Sequence, residues 1–347
     1  MANRIDKIPN EYTIDLDLPA QERWIHVAFA ERRNLQKLAD TLPVILRDQF
    51  NGFVAATRKS VIRPLCYMKP LPREYSQEIY GISKLTTSYG LTYGDLVLFN
   101  TALDYLSKCT SMIMSSPEGQ LHFRTLDWGL ALLKDLTISV SFKKNGSILY
   151  KGITFIGCVG LLTGIRIQRS VTDVPYSLTY NFRKPVEKRQ SLCHLLKCYV
   201  NRTSVSFFLR SILENKGSYS AALETINKGN LSCCGYVSIC GVKIKQGCVV
   251  TFGRGNKTEK KMINRLLVQT NHDDEMEAEG ISESWADGDP LLLSTIARKK
   301  SLTDAINERN CNRYTAEELM LRAPVWNKDT VYFCMLKPKD GGMYCIV

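Results

Sequence analysis

The sequence predicts one layered α+β domain, and three observations carry that reading. The first hundred or so residues repeat apolar side chains at helical spacing, short alternating strand runs begin just after Cys109, and helix then strand return toward the carboxyl end. A chain of 347 residues allows one large domain or two modest ones, and either can bury a substantial core.

The elements follow in order. Tyr12-Thr-Ile-Asp-Leu-Asp-Leu18 alternates with the period of a strand and stops at Pro19. From Gln21 to about Phe50, Ile25, Ala28, Leu35, Leu38, Leu42, Ile45 and Leu46 recur at helical spacing, with a break expected at Pro43. After Pro70 and Pro72 a helix is expected over 73–89, closed by Gly90 as a C-cap. Thr92-Tyr-Gly-Asp95 resembles a capping box opening a helix that runs into Lys108. Strand runs follow at 110–115, 121–126, 136–142, 148–156, 161–167 and 176–180, then a helical stretch over 192–227. Strands are expected again at 235–242, 248–252 and 265–270, helices at 290–309 and 316–321, and strands at 331–336 and 343–347. The sequence has no internal repeat and no low-complexity linker.

Composition removes several classes. With 44% apolar, 23% charged and 9% aromatic residues, the chain is globular and not intrinsically disordered. Its most apolar uncharged stretch, 153–165, is shorter than a membrane span. The net charge of +12 suits an anionic lipid surface, an acidic ligand, nucleic acid or an ordinary basic surface. Basic residues are scattered, with short clusters only at Lys257–Lys261 and Arg298-Lys299-Lys300. No nucleic-acid-binding motif accompanies them, so nucleic acid is not expected as a partner. Twelve cysteines include no CxxC pair, which sets aside zinc-ribbon and thioredoxin readings. Cys193, His194 and Cys198 are ligand types without a second cluster; the plainer reading is a half-buried helix, and no metal or other cofactor is expected.

Cys109 stands where a helix gives way to a strand, and Arg124-Thr-Leu-Asp127-Trp128-Gly129 follows fifteen residues later. In this order the segments resemble the acid ceramidase and N-acylethanolamine acid amidase family, in the cholylglycine-hydrolase branch of the N-terminal nucleophile hydrolases. The resemblance extends to Tyr12-Thr-Ile-Asp-Leu-Asp-Leu-Pro19 with Arg23-Trp24, and to Leu96-Val-Leu-Phe-Asn100 with Asp104. Gly160-Leu-Leu-Thr-Gly164, Ser177-Leu-Thr-Tyr-Asn181, Leu213-Glu-Asn215, Gly247-Cys-Val-Val250 and Val268-Gln-Thr-Asn271 continue it. Each segment is weak alone; their shared order over residues 12–336 is what counts.

The resemblance implies a four-layer αββα sandwich cut by its own chemistry between Lys108 and Cys109. Residues 1–108 would then form a smaller, mainly helical subunit and 109–347 a larger catalytic one, the two remaining a heterodimer. Cutting frees an α-amine beside the Cys109 thiol. With ordinary pKa values of about 8 and 8.5, the two can exchange a proton, so the amine serves as base and then as acid. The uncut chain, whose nitrogen is an amide, should be nearly inactive as an amidase. Arg124 and Asp127 match the family's charged pair, the arginine expected to hold the aspartate and the aspartate to orient the new ammonium. On the residues alone, a strand-end salt bridge is the favoured reading of this pair, and only the resemblance turns it toward catalysis. Asn271 matches the oxyanion-hole asparagine, although an asparagine in a turn after a strand is commonplace, and Asn181 matches a supporting asparagine. The implied substrate is an N-acyl lipid, ceramide or N-acylethanolamine, cleaved with no cofactor and with an anionic membrane surface as docking partner.

The chain departs from the family pattern at two places. Phe182 stands where an acidic residue is usual, and no arginine pair aligns ahead of the last long helix; Arg298 lies about one turn further on. A lipid-binding homologue of weak or absent catalytic activity is the competing reading. Family members tie their subunits with a disulfide, for which the amino-terminal part offers only Cys66. The resemblance implies a lysosomal enzyme, and glycosylation sequons at Asn145, Asn201, Asn230 and Asn256 agree. The polar stretch Met1–Asn10 does not read as a signal peptide, which leaves a cytoplasmic location as the alternative.

Overall fold

The computed structural model describes residues 7–49, 56–106, 108–183, 202–253, 257–274, 290–307 and 312–347. Strand β1 (Asn10–Asp15) leads into α1 (Ile25–Ala30) and α2 (Arg32–Gln49), then α3 (Arg63–Met68), α4 (Arg73–Thr86) and α5 (Tyr93–Leu106). The β2 (Lys108–Ser116) and β3 (Gly119–Asp127) hairpin follows, with α6 (Leu132–Leu136), β4 (Thr137–Lys144), β5 (Ser147–Phe155), β6 (Thr163–Arg166) and β7 (Ser177–Phe182). Next come α7 (Val205–Asn215), α8 (Tyr219–Lys228), β8 (Gly235–Cys240), β9 (Gly247–Phe252), β10 (Lys257–Lys261) and β11 (Leu266–Gln269). The chain ends with α9 (Pro290–Asn307), α10 (Arg313–Met320), β12 (Thr330–Lys337) and β13 (Gly342–Ile346).

Two sheets pack face to face. One has the order β1-β4-β5-β6-β7-β8-β9-β10 and the other β11-β2-β3-β12-β13. Period-2 alternation assigns the smaller sheet's faces. Met112, Met114, Leu121, Phe123, Phe333 and Met335 pack with Leu302, Ala316 and Met320 of α9 and α10. The opposite face of β2 and β3 meets β7. On the far side of the larger sheet, the amino-terminal helices and α7 share one apolar cluster with β4, β5 and β8. Helix, sheet, sheet and helix thus form the four layers expected.

β1 is the only strand contributed by the first 107 residues among those described, and it pairs in parallel with β4 at the sheet edge. Parallel neighbours need a long crossover, which the amino-terminal helices provide. The β4–β5 hairpin turns on Asn145 and Gly146, both with positive φ (51° and 77°), the backbone that an Asn-Gly turn adopts readily. Gly90 ends the Thr87–Tyr89 turn at φ 82°, as a glycine C-cap should. Asp95 accepts hydrogen bonds from the Thr92 amide (2.9 Å) and hydroxyl (2.7 Å), closing the expected cap of α5.

Several expectations need correction. Pro43 does not break its helix: α2 runs through it, because the proline faces solvent while Leu42, Ile45 and Leu46 stay buried. The expected helix over 192–227 divides at 216–218 into α7 and α8, and its portion 192–201, with Cys193, His194 and Cys198, lies outside the described residues. The basic cluster at 257–261 is the edge strand β10, where lysines guard unpaired backbone groups. Among the described residues, no helix is long and apolar enough to cross a membrane, no three His, Cys, Asp or Glu side chains are grouped to hold a metal ion, and no disulfide forms.

Candidate active site

Cys109 is the second residue of β2, and the hairpin register sets it opposite Leu126, with Ser111 opposite Arg124. Cys109, Ser111, His122 and Arg124 therefore share the face turned toward β7, and Arg124 is the diagonal neighbour of Cys109. A separation of fifteen residues becomes a hydrogen bond: Arg124 Nη2 donates to Cys109 Sγ at 3.1 Å. Its Nη1 donates to the Tyr180 carbonyl and to Asn181 Oδ1 (3.2 Å), and its Nε to the Tyr332 hydroxyl (3.3 Å). Burial works against this guanidinium, yet the neighbouring Cys109 sulfur and Tyr332 hydroxyl keep its pKa above the ordinary arginine value. A full positive charge thus rests against the sulfur.

The backbone of Cys109 is held equally firmly. Its amide N–H donates to Asn271 Oδ1 at 2.9 Å. Its carbonyl accepts from Arg298 Nη1 at 2.6 Å and from Asn181 Nδ2 at 3.4 Å. Arg298, fully buried on α9, also donates to Thr110 Oγ1 (2.7 Å) and Asn271 Oδ1 (2.9 Å). It lies 3.9 Å from Asp127 Oδ2. Burial lowers its pKa, with Asp127 and Cys109 opposing. Arg298 is thus a second arginine of this site, beside Arg124, and not part of a surface cluster; neighbouring Lys299 is paired with Asp274 at 2.6 Å.

Arg124 and Asp127 do not hold each other. Three residues apart on one strand, they point to opposite faces. Asp127 sits opposite Lys108 in the ladder, buried, accepting from Thr330 Oγ1 (2.7 Å) and Asn327 Nδ2 (3.2 Å). Burial raises its carboxyl pKa, with Arg298, Thr330 and Asn327 opposing. Asn181 Nδ2 also donates to the Gln269 (2.8 Å) and Thr270 (3.1 Å) carbonyls, which fixes its amide orientation. In the continuous chain Asn271 Nδ2 donates to the Phe182 carbonyl at 2.6 Å, so the departure at Phe182 enters the site through backbone. Lys108 lies 3.8 Å from Asp329.

The five expected site residues, Cys109, Arg124, Asp127, Asn181 and Asn271, converge on one buried centre. Sequence reading passed over Tyr332, Thr330, Asn327 and Thr295, whose hydroxyl accepts from the Asn271 amide at 2.7 Å. It also passed over Ser111 and Thr179. The signal for Thr179 was present: Ser177, Thr179 and Asn181 are polar at every second position of a buried strand.

A family model described as the beta subunit of N-acylethanolamine-hydrolyzing acid amidase matches residues 7–61. An N-acylethanolamine-hydrolyzing acid amidase of Caenorhabditis elegans is 28% identical over 357 residues, covering 96% of this chain and 90% of its own length. Acid ceramidase of Bos taurus is 26% identical over 359 residues, covering 95% and 84%. The solved structure of a Caenorhabditis elegans N-acylethanolamine-hydrolyzing acid amidase ortholog superposes with a TM-score of 0.55 at 28% identity, over 66% of this chain and 93% of its own. Over nearly its whole length the chain is thus similar to N-acylethanolamine-hydrolyzing acid amidase and acid ceramidase.

Proposed function

We propose that this chain cuts itself between Lys108 and Cys109 and then hydrolyses the amide bond of N-acyl lipids, ceramide or a fatty-acid ethanolamide. One observation carries the reading. The nitrogen, carbonyl and sulfur of Cys109 are each held by a different buried side chain, Asn271, Arg298 and Arg124. A structural cysteine needs none of this; a nucleophile needs all of it.

In the cut, the thiol gives up its proton and sulfur attacks the Lys108 carbonyl carbon. The C–N bond breaks as nitrogen takes a proton, and water hydrolyses the thioester, leaving a Lys108 carboxylate and a free Cys109 amine and thiol. The amine, still beside Asn271 Oδ1, then takes the thiol proton as sulfur attacks the substrate carbonyl. It returns the proton to the leaving amine and activates water against the acyl-enzyme. Asn271 Nδ2, which donates to the Phe182 carbonyl in the continuous chain, is assigned to the oxyanion when the substrate carbonyl takes the place of that acceptor. Asp127, across the ladder from Lys108, sets the field at the new terminus through Arg298.

The family model named for a beta subunit falls wholly within residues 1–108, in keeping with a separate smaller subunit. Docking on an anionic membrane belongs to the same proposal. Leu18, Ile25 and Phe29 are exposed, with Arg32 over the Phe29 ring and Lys84 nearby across the groove that Leu18 and Ile25 line. A lysosomal setting belongs to it too, and glycans on Asn145 or Asn230 would support it.

The test is a denaturing gel with intact mass, after incubation at mildly acidic pH. Wild type should yield two pieces beginning at Met1 and Cys109, and Cys109→Ala should stay whole. The cut protein should release fatty acid from ceramide or N-acylethanolamine. A wild type that remains one chain and releases none leaves the lipid-binding homologue as the reading.

A further inference from the structure

The inner faces of a two-sheet sandwich are normally apolar, but here a line of buried polar side chains crosses the sheet interface into the site. Ser111 and His122 come from the smaller sheet, Ser177, Thr179 and Asn181 from β7, and all are at most 1% exposed. Their contacts are Ser177 Oγ to His122 Nδ1 (2.9 Å), His122 Nε2 to Thr179 Oγ1 (3.1 Å), Thr179 Oγ1 to Ser111 Oγ (2.8 Å) and Ser111 Oγ to Asn181 Oδ1 (2.7 Å).

The proton of every link follows from the fixed end. Asn181 Nδ2 is spent on main-chain carbonyls, so its Oδ1 accepts and the Ser111 hydroxyl must donate to it. With that proton used, Ser111 accepts from Thr179. Thr179 in turn accepts from an Nε2–H of His122, whose Nδ1 accepts from Ser177. A neutral histidine satisfies both ends. Burial, with Arg124 nearby, lowers the His122 pKa to about 3, so the ring stays neutral in mild acid.

We propose that Ser177, His122, Thr179 and Ser111 form a one-directional hydrogen-bond relay that positions Asn181, and through it Arg124, against Cys109. These are positioning residues: none touches sulfur, but the relay fills the Asn181 oxygen, which also receives Arg124 Nη1. The inference rests on the reading of Cys109 as nucleophile, and one readout below is independent of that reading.

Thr179→Val removes the hydroxyl and keeps the branched shape, whereas Thr179→Ser keeps the hydroxyl. For self-cutting, and for turnover of an N-palmitoyl amide with a fluorogenic leaving amine, Thr179→Val should lower the rate about tenfold or more. KM should change less than about threefold, and Thr179→Ser should restore most of the rate. Ser177→Ala, at the far end of the relay, should give a smaller loss and serves if Thr179→Val does not fold. Selective ¹⁵N labelling of the four histidines, with His122→Gln for assignment, should show His122 as the Nε2–H tautomer at pH 5. Wild-type rates in Thr179→Val, equal losses in the Val and Ser variants, or an Nδ1–H tautomer would each overturn the relay. If wild type neither cuts itself nor hydrolyses amides, the nucleophile reading fails and the positioning role falls with it. The tautomer still decides whether the hydrogen-bond order exists.

Discussion

Arg298 shows how much of the site hangs on one side chain. Its guanidinium serves the Cys109 carbonyl, the Thr110 hydroxyl and the Asn271 amide oxygen, and faces Asp127, all without solvent. Removing it leaves the buried Asp127 with hydroxyl and amide partners but no countercharge, a loss typically of about 3–5 kcal/mol. Arg298→Ala should therefore melt well below wild type and fail to cut itself. Arg298→Lys restores charge without the planar fork, so it should recover stability more than cutting. A thermal melt beside a processing gel checks both, and an Arg298→Ala chain that cuts at the wild-type rate would refute the assignment. The sequence pattern alone left Arg298 one helical turn out of place, because helix register against a sheet is set by packing that no local pattern records. The separation of Arg124 from Asp127 was legible: an odd spacing on a strand puts two side chains on opposite faces.

Elements from the two sides of Lys108–Cys109 are joined by buried polar contacts as well as by apolar packing. Glu78 on α4 receives Arg23 Nη1 (3.0 Å), Trp24 Nε1 (2.7 Å) and both terminal nitrogens of Arg210 on α7, whose guanidinium lies between the Tyr75 and Phe142 rings. Asn100 on α5 donates to the Gly157 carbonyl (2.9 Å) and accepts from the Val159 amide (2.8 Å). Asp104, also on α5, accepts from the Val205 (2.8 Å) and Ser206 (3.2 Å) amides and so caps α7, a helix of the other piece. The two pieces should therefore stay together after the cut without a disulfide through Cys66. Size-exclusion chromatography of cut protein under reducing conditions should give one peak near 39.3 kDa. Glu78→Ala removes the carboxylate that two buried arginines share, leaving as countercharge among the described residues only Glu74 for Arg23 and only Glu214, at 3.9 Å, for Arg210. It should lower stability by about 3–5 kcal/mol and let the pieces separate. Co-elution of the cut Glu78→Ala protein at high dilution would show the network to be dispensable. The Arg23-Trp24 pair and Asn100 were visible in the sequence as family signatures, and the structure supplies their physical role. The strands were legible from alternation, but β10 was not, since an exposed edge of Lys-Thr-Glu-Lys-Lys carries no apolar period.

Across the whole molecule, Asp104 and His122, both buried, titrate with opposite sign in the range where an acid hydrolase would work, and buried Asp127, also raised by burial, acts on the Asp104 side. Asp104 is raised from 3.8 to about 6, chiefly by burial, with Ser204, the Val205 and Ser206 amides and Lys69 opposing. The thiols of Cys158 and Cys233 and the Tyr180 hydroxyl also face it. A folded carboxyl that holds its proton more tightly than the unfolded one favours folding at low pH. That contribution, on the order of 3 kcal/mol, is complete below about pH 4 and lost as pH rises through 6. His122, lowered from 6.5 to about 3 by burial and Arg124, does the reverse, contributing above 6.5 and losing as pH falls toward 3. Between pH 6.5 and about 4 the two slopes nearly cancel. Below that range only the loss at His122 continues, joined by Glu31, Asp95 and Asp274, whose carboxyls are held below their ordinary values by their hydrogen-bond and ion-pair partners despite burial. Wild-type stability should therefore be nearly flat from neutral pH down to about 4 and fall below it. Asp104→Asn removes one slope, so the variant should lose on the order of 3 kcal/mol more than wild type between pH 6.5 and 4. Urea unfolding at half-unit pH steps, in the uncuttable Cys109→Ala background, measures that difference. Parallel profiles for the two proteins would mean that Asp104 titrates as an ordinary carboxyl and that the acid tolerance of the fold has another source.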